Sequence, residues 1–169
     1  LIFCVIVVRQ QLNYVKHKNP GFNEELLLRL DLPNFPEQDI LKTRILLEEF
    51  RRSPYIKNLS LSAGVPVHIY MTMGSNMENS KKNTGVPCLI VDTAFLETFG
   101  LKIIRGRNLE PGDFEKVCLI NEAAYKYFDF QDLEDKRFNN FGGFDIICVV
   151  NAFQYSSFHK TIGPVCIMF

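Results

Sequence analysis

The chain has 169 residues, 47% of them hydrophobic, and its 19 basic side chains balance its 19 acidic ones. This length allows one ordinary domain or two small subdomains, and so much apolar material, including 15 Phe and 6 Tyr, excludes a disordered chain. A formal net charge of zero lacks the clustered basic excess that phosphate backbones attract, so nucleic acid is not an expected partner.

The N-terminal segment combines an apolar start with a basic, polar continuation. "LIFCVIVV" is too short to span a bilayer, which needs about 20 apolar residues, and no basic region precedes it as in a signal peptide. Basic residues follow at Arg9 and at positions 16–18, and Tyr14 suits a membrane interface. We therefore expect residues 1–20 to be the end of a membrane helix and a polar, helical stalk, in a chain that is a fragment or a processed product because it begins with Leu. A buried N-terminal strand or helix is the alternative.

Residues 21–64 are predicted to form a β-α-β unit. "LLLRLDL" at residues 26–32 is typical of a buried strand, and "IKNLSLSAG" at residues 56–64 alternates as a half-buried strand does. The helix between them is expected to begin at Pro36 and to end before Pro54, because proline suits a first helical position and interrupts a helix elsewhere.

Residues 65–169 combine short strands, two short helices and polar turns, so the whole chain is predicted to have an α+β fold. The segment from Val65 to Pro87 indicates an exposed loop or hairpin. Strands are predicted for "CLIVD", "LKIIRGRNL", "VCLIN", the two halves of "KRFNNFGGFDIICVVNAF" and "GPVCIMF". The helix "TAFLETF" is expected to end at Gly100, and Asn121 is expected to cap "EAAYKYF".

The stretch from Val91 to Phe128 raises the question of an active site, because its carboxylates could serve as an acid, a base or a metal ligand. Glu97 is predicted on the solvent side of a short helix, Asp113 in a Pro-Gly-Asp turn and Glu122 in the first turn of a helix. Local structure explains each position, so a catalytic carboxylate pair is the weaker interpretation.

Two arginines in the same stretch could bind an anion. The glycine between Arg105 and Arg107 lies at the end of a predicted strand, where it indicates a sharp turn or a bulge. We therefore expect Gly106 to be needed for its backbone conformation rather than for a ligand.

Neither a metal site nor a catalytic triad is predicted. His17, His68 and His159 are far apart in the sequence and lack the spacing of metal ligands. Ser156 or Ser157 with His159 would make the chain a hydrolase, but a triad is defined by three-dimensional geometry, so sequence neighbours are poor evidence. No catalytic, metal-binding or cofactor-binding residue is therefore predicted.

Five cysteines are present, and no two have the C-x-x-C spacing of a zinc or thioredoxin-like site. All but Cys4 lie in apolar, strand-like runs; these four are Cys88, Cys118, Cys148 and Cys166. We predict free thiols, buried at those four positions, with a disulfide as the alternative if the domain faces an oxidising compartment.

The order of the motifs resembles a known family. "VDTAFLETFGLKIIRGRNL", "VCLINEAAYKYF", "KRF" and "FDIICVVNAFQYSSFHKTIGPV" follow one another as in the MacB-like extracytoplasmic domain of FtsX/MacB-type ABC transporter permeases. "RQQLNYVKHKNPGF" resembles the family's segment after the first membrane helix, and "FRRSPYIKNLSLS" resembles a later segment. Ala152 stands where the family has Asp, and Asp135 and Cys148 stand where it has Gly. Since the family continues beyond "CIMF", we expect this chain to cover the front part of the domain.

The resemblance implies a non-enzymatic domain on the outer side of the cytoplasmic membrane. It assigns residues 1–20 to the end of a membrane helix and a stalk, residues 21–64 to the front of a membrane-proximal β-α-β subdomain, and residues 65–169 to a distal, mostly β subdomain with two short helices. Cytoplasmic domains hydrolyse ATP, and the outer domain relays that motion for export or for lipoprotein or peptide transport.

The implied partners are the rest of the permease, its cytoplasmic ATPase, a second permease copy and a periplasmic partner protein or exported substrate, without a cofactor. The alternative is a secreted or surface module that binds a peptide or glycan through the aromatic C-terminal half. The membrane helix end and stalk expected at residues 1–20, which we call the stem, favour the transporter over that module.

Overall fold

The computed structural model describes residues 2–23, 26–32, 40–74, 85–138, 143–157 and 160–169. Two longer helices come first, α1 at Ile2–His17 and α2 at Ile40–Arg52. The remaining elements are β1 at Met71–Gly74, β2 at Gly85–Ile90, α3 at Phe95–Phe99, β3 at Ile103–Gly106, β4 at Val117–Asn121, α4 at Glu122–Tyr127, β5 at Arg137–Phe138, β6 at Phe144–Val150 and β7 at Cys166–Met168. The predicted α+β class is confirmed.

The strands form one mixed sheet in the order β1-β2-β7-β4-β6-β3, and β5 pairs with β6 beside that path. The pairs β2–β7 and β4–β6 are parallel. The pairs β1–β2, β3–β6, β4–β7 and β5–β6 are antiparallel. As a result β7, the last strand in the chain, lies near the centre of the sheet between β2 and β4.

The sheet is covered on both faces, which explains why its central strands read as continuous apolar runs. Every residue of β4 and of β7 is buried. Because successive side chains of a strand point to opposite faces, Cys118 and Ile120 enter the cluster that packs on α4, whereas Leu119 enters the cluster that packs on α3. We call these the α4-side cluster and the α3-side cluster.

Helix α4 begins as the sequence predicts, with an asparagine side chain that also fixes a neighbouring loop. The Asn121 Oδ1 atom accepts hydrogen bonds from the backbone N–H groups of Ala124, at 2.9 Å, and of Val165, at 3.0 Å. Its Nδ2 group donates to the carbonyl oxygen of Gly163 at 2.9 Å. The predicted cap is therefore confirmed, and the same side chain joins α4 to the segment that leads into β7.

Helix α3 also ends where predicted. Gly100 adopts the left-handed conformation, with φ 64°, and its N–H donates to the carbonyl oxygen of Glu97. At the other end of α3 the Asp92 carboxylate accepts from the backbone N–H of Ala94 at 3.2 Å and from the Ser60 hydroxyl at 2.6 Å.

The predicted β-α-β unit is wrong in its two strands. Residues 26–32 form no strand, and Leu26 and Leu28 are 103% and 81% exposed. Within residues 56–64, Ser62 forms an isolated bridge to Val91 instead of a ladder. The apolar pattern of these segments indicates burial, but a strand also needs a partner backbone, and the partner is not encoded locally.

The helix between those segments is confirmed at its C-terminal end. Helix α2 ends at Arg52, directly before Ser53 and Pro54. Its predicted beginning at Pro36 lies outside the described residues.

The predicted hairpin from Val65 onward is present as the antiparallel β1–β2 pair. Of the predicted glycine turn between β5 and β6, Gly142 lies outside the described residues and Gly143 has φ 87°.

The N-terminal helix α1 is exposed along its length. Phe3, Val5 and Val8 are 77%, 62% and 53% exposed, so the alternative of a buried N-terminal element is wrong. Among the helices of the described residues, none has the length and apolar content needed to cross a bilayer.

Candidate functional site

The residues that follow α1 attach this helix to the segment after β6 and to the end of α3. We call residues 20–23, together with their contacts on Phe99, Asn151 and Gln154, the joint. Pro20 is buried, and its carbonyl oxygen accepts a hydrogen bond from the backbone N–H of Gln154 at 2.6 Å. Three residues later, the N–H of Asn23 donates to the carbonyl oxygen of Phe99 at 2.8 Å. The chain is thus held from two sides directly after the helix.

Asn151 is the side chain that links the joint to two strands. Its Nδ2 group donates to the carbonyl oxygen of Gly21 at 2.6 Å, and its Oδ1 atom accepts from the N–H of Lys102 at 2.7 Å. Its own N–H donates to the Lys102 carbonyl oxygen at 2.9 Å. Since Asn151 follows β6 and Lys102 precedes β3, the joint is bonded next to the ends of both strands.

Gly21 lets the two backbones approach closely. It has φ 87°, in the left-handed region, and its N–H donates to the Asn19 Oδ1 atom at 2.8 Å. A Cβ atom here would collide with the carbonyl oxygen of Ala152 and would lie 2.7 Å from the Cα of Phe153. A glycine is therefore required on steric as well as conformational grounds.

An aromatic contact adds a packed, apolar component to the joint. The ring of Phe22 meets that of Phe99 edge-on, with centroids 6.0 Å apart, and Phe99 lies 4.5 Å from Phe95. Phe95 is fully buried in the α3-side cluster. The joint is consequently continuous with the core, because dense packing transmits displacement between neighbouring side chains.

Gln154 explains the conformation of the serines that sequence reasoning considered as nucleophiles. This side chain is 2% exposed, and its Nε2 group donates to the carbonyl oxygens of Ser156, at 3.0 Å, and Ser157, at 2.9 Å. The serines thus belong to a loop that Gln154 holds through the backbone. The proposed base, His159, lies outside the described residues.

The three candidate carboxylates have separate surroundings. Glu97 is exposed on α3, and Glu122 forms an ion pair with Lys126 at 2.6 Å on α4. Asp113 lies in the turn after β3, where it accepts hydrogen bonds from Arg107 at 2.5 and 2.8 Å. These contacts give each carboxylate its own structural partner or a solvent-exposed position.

The Arg107–Asp113 pair closes the turn that follows β3. Asp113 also accepts a hydrogen bond from the backbone N–H of Glu110 at 2.8 Å. The Arg107 hydrogen bonds lower the pKa of Asp113 from its ordinary 3.8 to about 2, against the opposing effect of burial. The same pair raises the pKa of Arg107. The sequence indicates the local turn at Asp113 but not its partner cation, Arg107, which is six positions earlier.

The alternative of an anion site at Arg105 and Arg107 is not favoured by the contacts of these two arginines. Arg107 binds Asp113, and the Arg105 guanidinium carbon lies 5.3 Å from the centroid of the Tyr125 ring. The open groove lined by both arginines also carries the acidic residues Asp132 and Glu134. An anion would therefore meet negative charge in the same groove.

Across the described ranges, no group of three or more His, Cys, Asp or Glu side chains is placed to hold a metal ion.

The residues that form the joint are not among the candidates that the sequence suggested. Their signal was present, because "VVNAFQ" places polar Asn151 and Gln154 at the end of a strand of the core, where each needs a hydrogen-bond partner.

No protein-family model and no curated protein matches the chain. Solved structures do. A domain of a protein described as a permease from Porphyromonas gingivalis has 20% sequence identity and a TM-score of 0.46, over 65% of this chain and 49% of that one. The periplasmic region of MacB from Actinobacillus actinomycetemcomitans has 17% identity and a TM-score of 0.48, over 70% and 60% of the two chains.

A third similar structure is the extracellular domain of the ABC-type transporter YknZ from Gram-positive bacteria, with 14% identity and a TM-score of 0.49. The match covers 88% of this chain and 63% of that one. The chain spans less than two thirds of each of the three. The likeness predicted from the sequence thus also appears among solved structures.

Proposed function

We propose that the chain is part of the extracytoplasmic domain of an ABC transporter permease and that it relays motion between the membrane and the outer sheet without catalysing a reaction. The observation that carries this proposal is the joint: one side chain, Asn151, binds both Gly21, the residue after the stem, and Lys102, the residue before β3. Motion of α1 along or across its axis would reach the sheet through these short hydrogen bonds.

The stem is suited to this role because it stays helical almost to the joint. Helix α1 covers Ile2–His17, and the N–H of Lys18 still donates to the Tyr14 carbonyl oxygen at 3.1 Å. Asn19 alone separates this bond from buried Pro20. A helix transmits displacement over its length, whereas a Gly/Ser segment behaves as a flexible coil.

The resemblance of the sequence to FtsX/MacB-type permeases supplies the rest of the proposal. The domain lies outside the cytoplasmic membrane, and residues 1–20 are the stem, residues 21–64 the front of the membrane-proximal part and residues 65–169 the distal part. Its partners are the remainder of the permease, a second copy of it, a cytoplasmic ATPase and a periplasmic protein or exported substrate. Export, or transport of a lipoprotein or peptide, is the process that the relay serves.

The test replaces the stem in the full-length transporter. Residues Gln10–Lys18 are exchanged for a Gly/Ser segment of equal length, and a matched control receives an Ala-rich helical segment of the same length. We expect membrane insertion and ATP turnover to persist in both variants, and export to be lost in the flexible variant alone. Export and ATP turnover are measured together in reconstituted membranes.

A second experiment tests whether a catalytic site is needed. Ser156, Ser157 and His159 are replaced together by Ala, and export and ATP turnover are measured again. We expect little change beyond stability. Normal export with the flexible stem contradicts the relay, and a folded triple variant that exports nothing requires a local chemical site.

A further inference from the structure

Three of the five cysteines lie on one face of the sheet in adjacent strands. Cys88 in β2, Cys166 in β7 and Cys118 in β4 all belong to the α4-side cluster, and each is at most 2% exposed. All are free thiols in this structure. Cys148, by contrast, points to the α3-side cluster.

The register of the sheet selects one pair among the three. Cys88 and Cys166 are direct partners in the parallel β2–β7 ladder. Neighbouring strands lie about 4.8 Å apart, which falls within the Cα separations of about 4.4–6.8 Å found in disulfides. Because the two residues share a face, their Cβ atoms also lie side by side.

Cys118 is displaced from this pair. Its direct partner in the β4–β7 ladder is Met168, two residues beyond Cys166. Such diagonal neighbours are roughly 7–8 Å apart along the backbone, at or beyond the limit for a disulfide without backbone movement, although the thiols of Cys118 and Cys166 are hydrogen-bonded to each other. Cys148 has Gly106 and Leu119 as its direct partners and no cysteine opposite it.

We propose that Cys88 and Cys166 form an oxidisable pair, which a small-molecule disulfide converts into a disulfide that joins β2 to β7. The thiolate of one cysteine attacks a sulfur of the donor disulfide, forms a mixed disulfide and releases the first donor thiolate. The second cysteine thiolate then attacks the mixed disulfide and releases the other donor thiolate. The two protons lost by the cysteines pass to the released thiolates, and the donor gains the two electrons.

The folded sheet controls when this reaction occurs. The interaction with Cys166 and burial raise the pKa of Cys88. The interaction with Cys118 and burial raise the pKa of Cys166, so both thiols stay neutral in the folded state. Since the thiolate is the nucleophile, the reaction proceeds before the sheet closes or when β2 and β7 separate. This inference concerns the sheet alone and does not depend on the transport function.

The test refolds the full 169-residue chain with and without an oxidant. Reduced, unfolded protein is diluted into buffer containing either reduced glutathione or a mixture of oxidised and reduced glutathione. It is then unfolded again, alkylated and weighed, and any disulfide is located by peptide mapping. We expect five alkylated cysteines after reducing refolding and three after oxidising refolding, with the bond between Cys88 and Cys166.

Three alanine variants test which cysteines form the disulfide. Cys148→Ala, the buried control, and Cys118→Ala should each still form the bond, whereas Cys166→Ala should form none. Circular dichroism verifies that each variant is folded. If a variant does not fold, the peptide map of the unaltered chain still shows whether Cys88 and Cys166 form the disulfide. Five alkylated cysteines after oxidising refolding to the native spectrum overturn the proposal, as does a bond that maps to any other pair.

Discussion

At Gly106 the edge strand β3 passes so close to β6 that no side chain fits between them. Gly106 has φ 81°, and a Cβ atom would collide with the carbonyl oxygen of Ile147 and lie 2.9 Å from the Cα of Cys148. Both neighbours are backbone atoms of the partner strand and cannot turn aside. The expectation that this glycine is needed for its backbone thus gains a specific steric cause.

We predict that Gly106→Val, and to a lesser degree Gly106→Ala, lowers the melting temperature. The left-handed conformation alone costs a side chain about 1 kcal/mol or more, and the collision with β6 adds to it. Gly112→Ala is the control, because nothing lies within 4 Å of the added Cβ. Calorimetric melting of the three variants checks this. An unchanged melting temperature with lost function would instead indicate an anion site at Arg105 and Arg107.

The Arg107–Asp113 pair predicts a stability that depends on pH. Because the folded pKa of Asp113, about 2, is below its ordinary 3.8, the pair stabilises the fold fully above about pH 4 and ceases to do so as the pH falls through 2. Asp113→Asn should lower the free energy of unfolding by about 1–2 kcal/mol at pH 7, since Arg107 is 46% exposed and solvent screens the pair.

Urea unfolding at pH 7 and near pH 2 measures this effect. The difference between the unaltered chain and Asp113→Asn should be large at neutral pH and small in acid. Glu110→Gln serves as the control, because that carboxylate is 69% exposed and lies 3.8 Å from the same guanidinium. A difference that persists unchanged near pH 2 would show that the ionised carboxylate is not the source of the stability.

Among the elements, α4 depends most clearly on one side chain. We predict that Asn121→Ala lowers the free energy of unfolding by about 1–3 kcal/mol, because the cap of α4 and the buried N–H of Val165 lose their acceptor together. Asn121→Ser keeps an acceptor for the cap of α4 and loses the donation to Gly163, so it should cost less. Chemical denaturation measures the free energy of unfolding of both variants. Equal losses of stability would assign the effect of Asn121 to its hydrogen bond with Gly163 instead.

The elements that sequence reasoning found are those with local signals. Helix α3 has Gly100 at its end, α4 has its asparagine cap, and β4 is an unbroken apolar run; each of these needs little information from the rest of the chain. The strand expected at residues 26–32 had the same apolar character but no ladder partner. The joint was missed for the related reason that Asn151 acts on Gly21, which is distant in sequence.

For the molecule as a whole, Asn151 should matter more for coupling than for stability. From the proposed relay we predict that Asn151→Leu in the full-length transporter retains ATP turnover and loses export, because the side-chain bonds that join Gly21 to Lys102 disappear. Asn108→Leu is the matched control. It removes two side-chain hydrogen bonds, to Thr93 and Leu109, where Asn151→Leu removes three, and neither of the two involves a residue of the joint. Equal loss of export in both variants would point to general destabilisation.

The central position of β7 has a consequence for the time at which the sheet can form. Strands β2 and β4 do not pair with each other and become near neighbours only through residues 166–168. At about 5–20 residues per second, synthesis from the end of β2 to the start of β7 lasts roughly 4–15 s. Throughout that interval the nascent chain cannot complete its core. Such long-range pairing also slows folding itself to milliseconds or seconds, so the chain remains open to chaperones until β7 emerges.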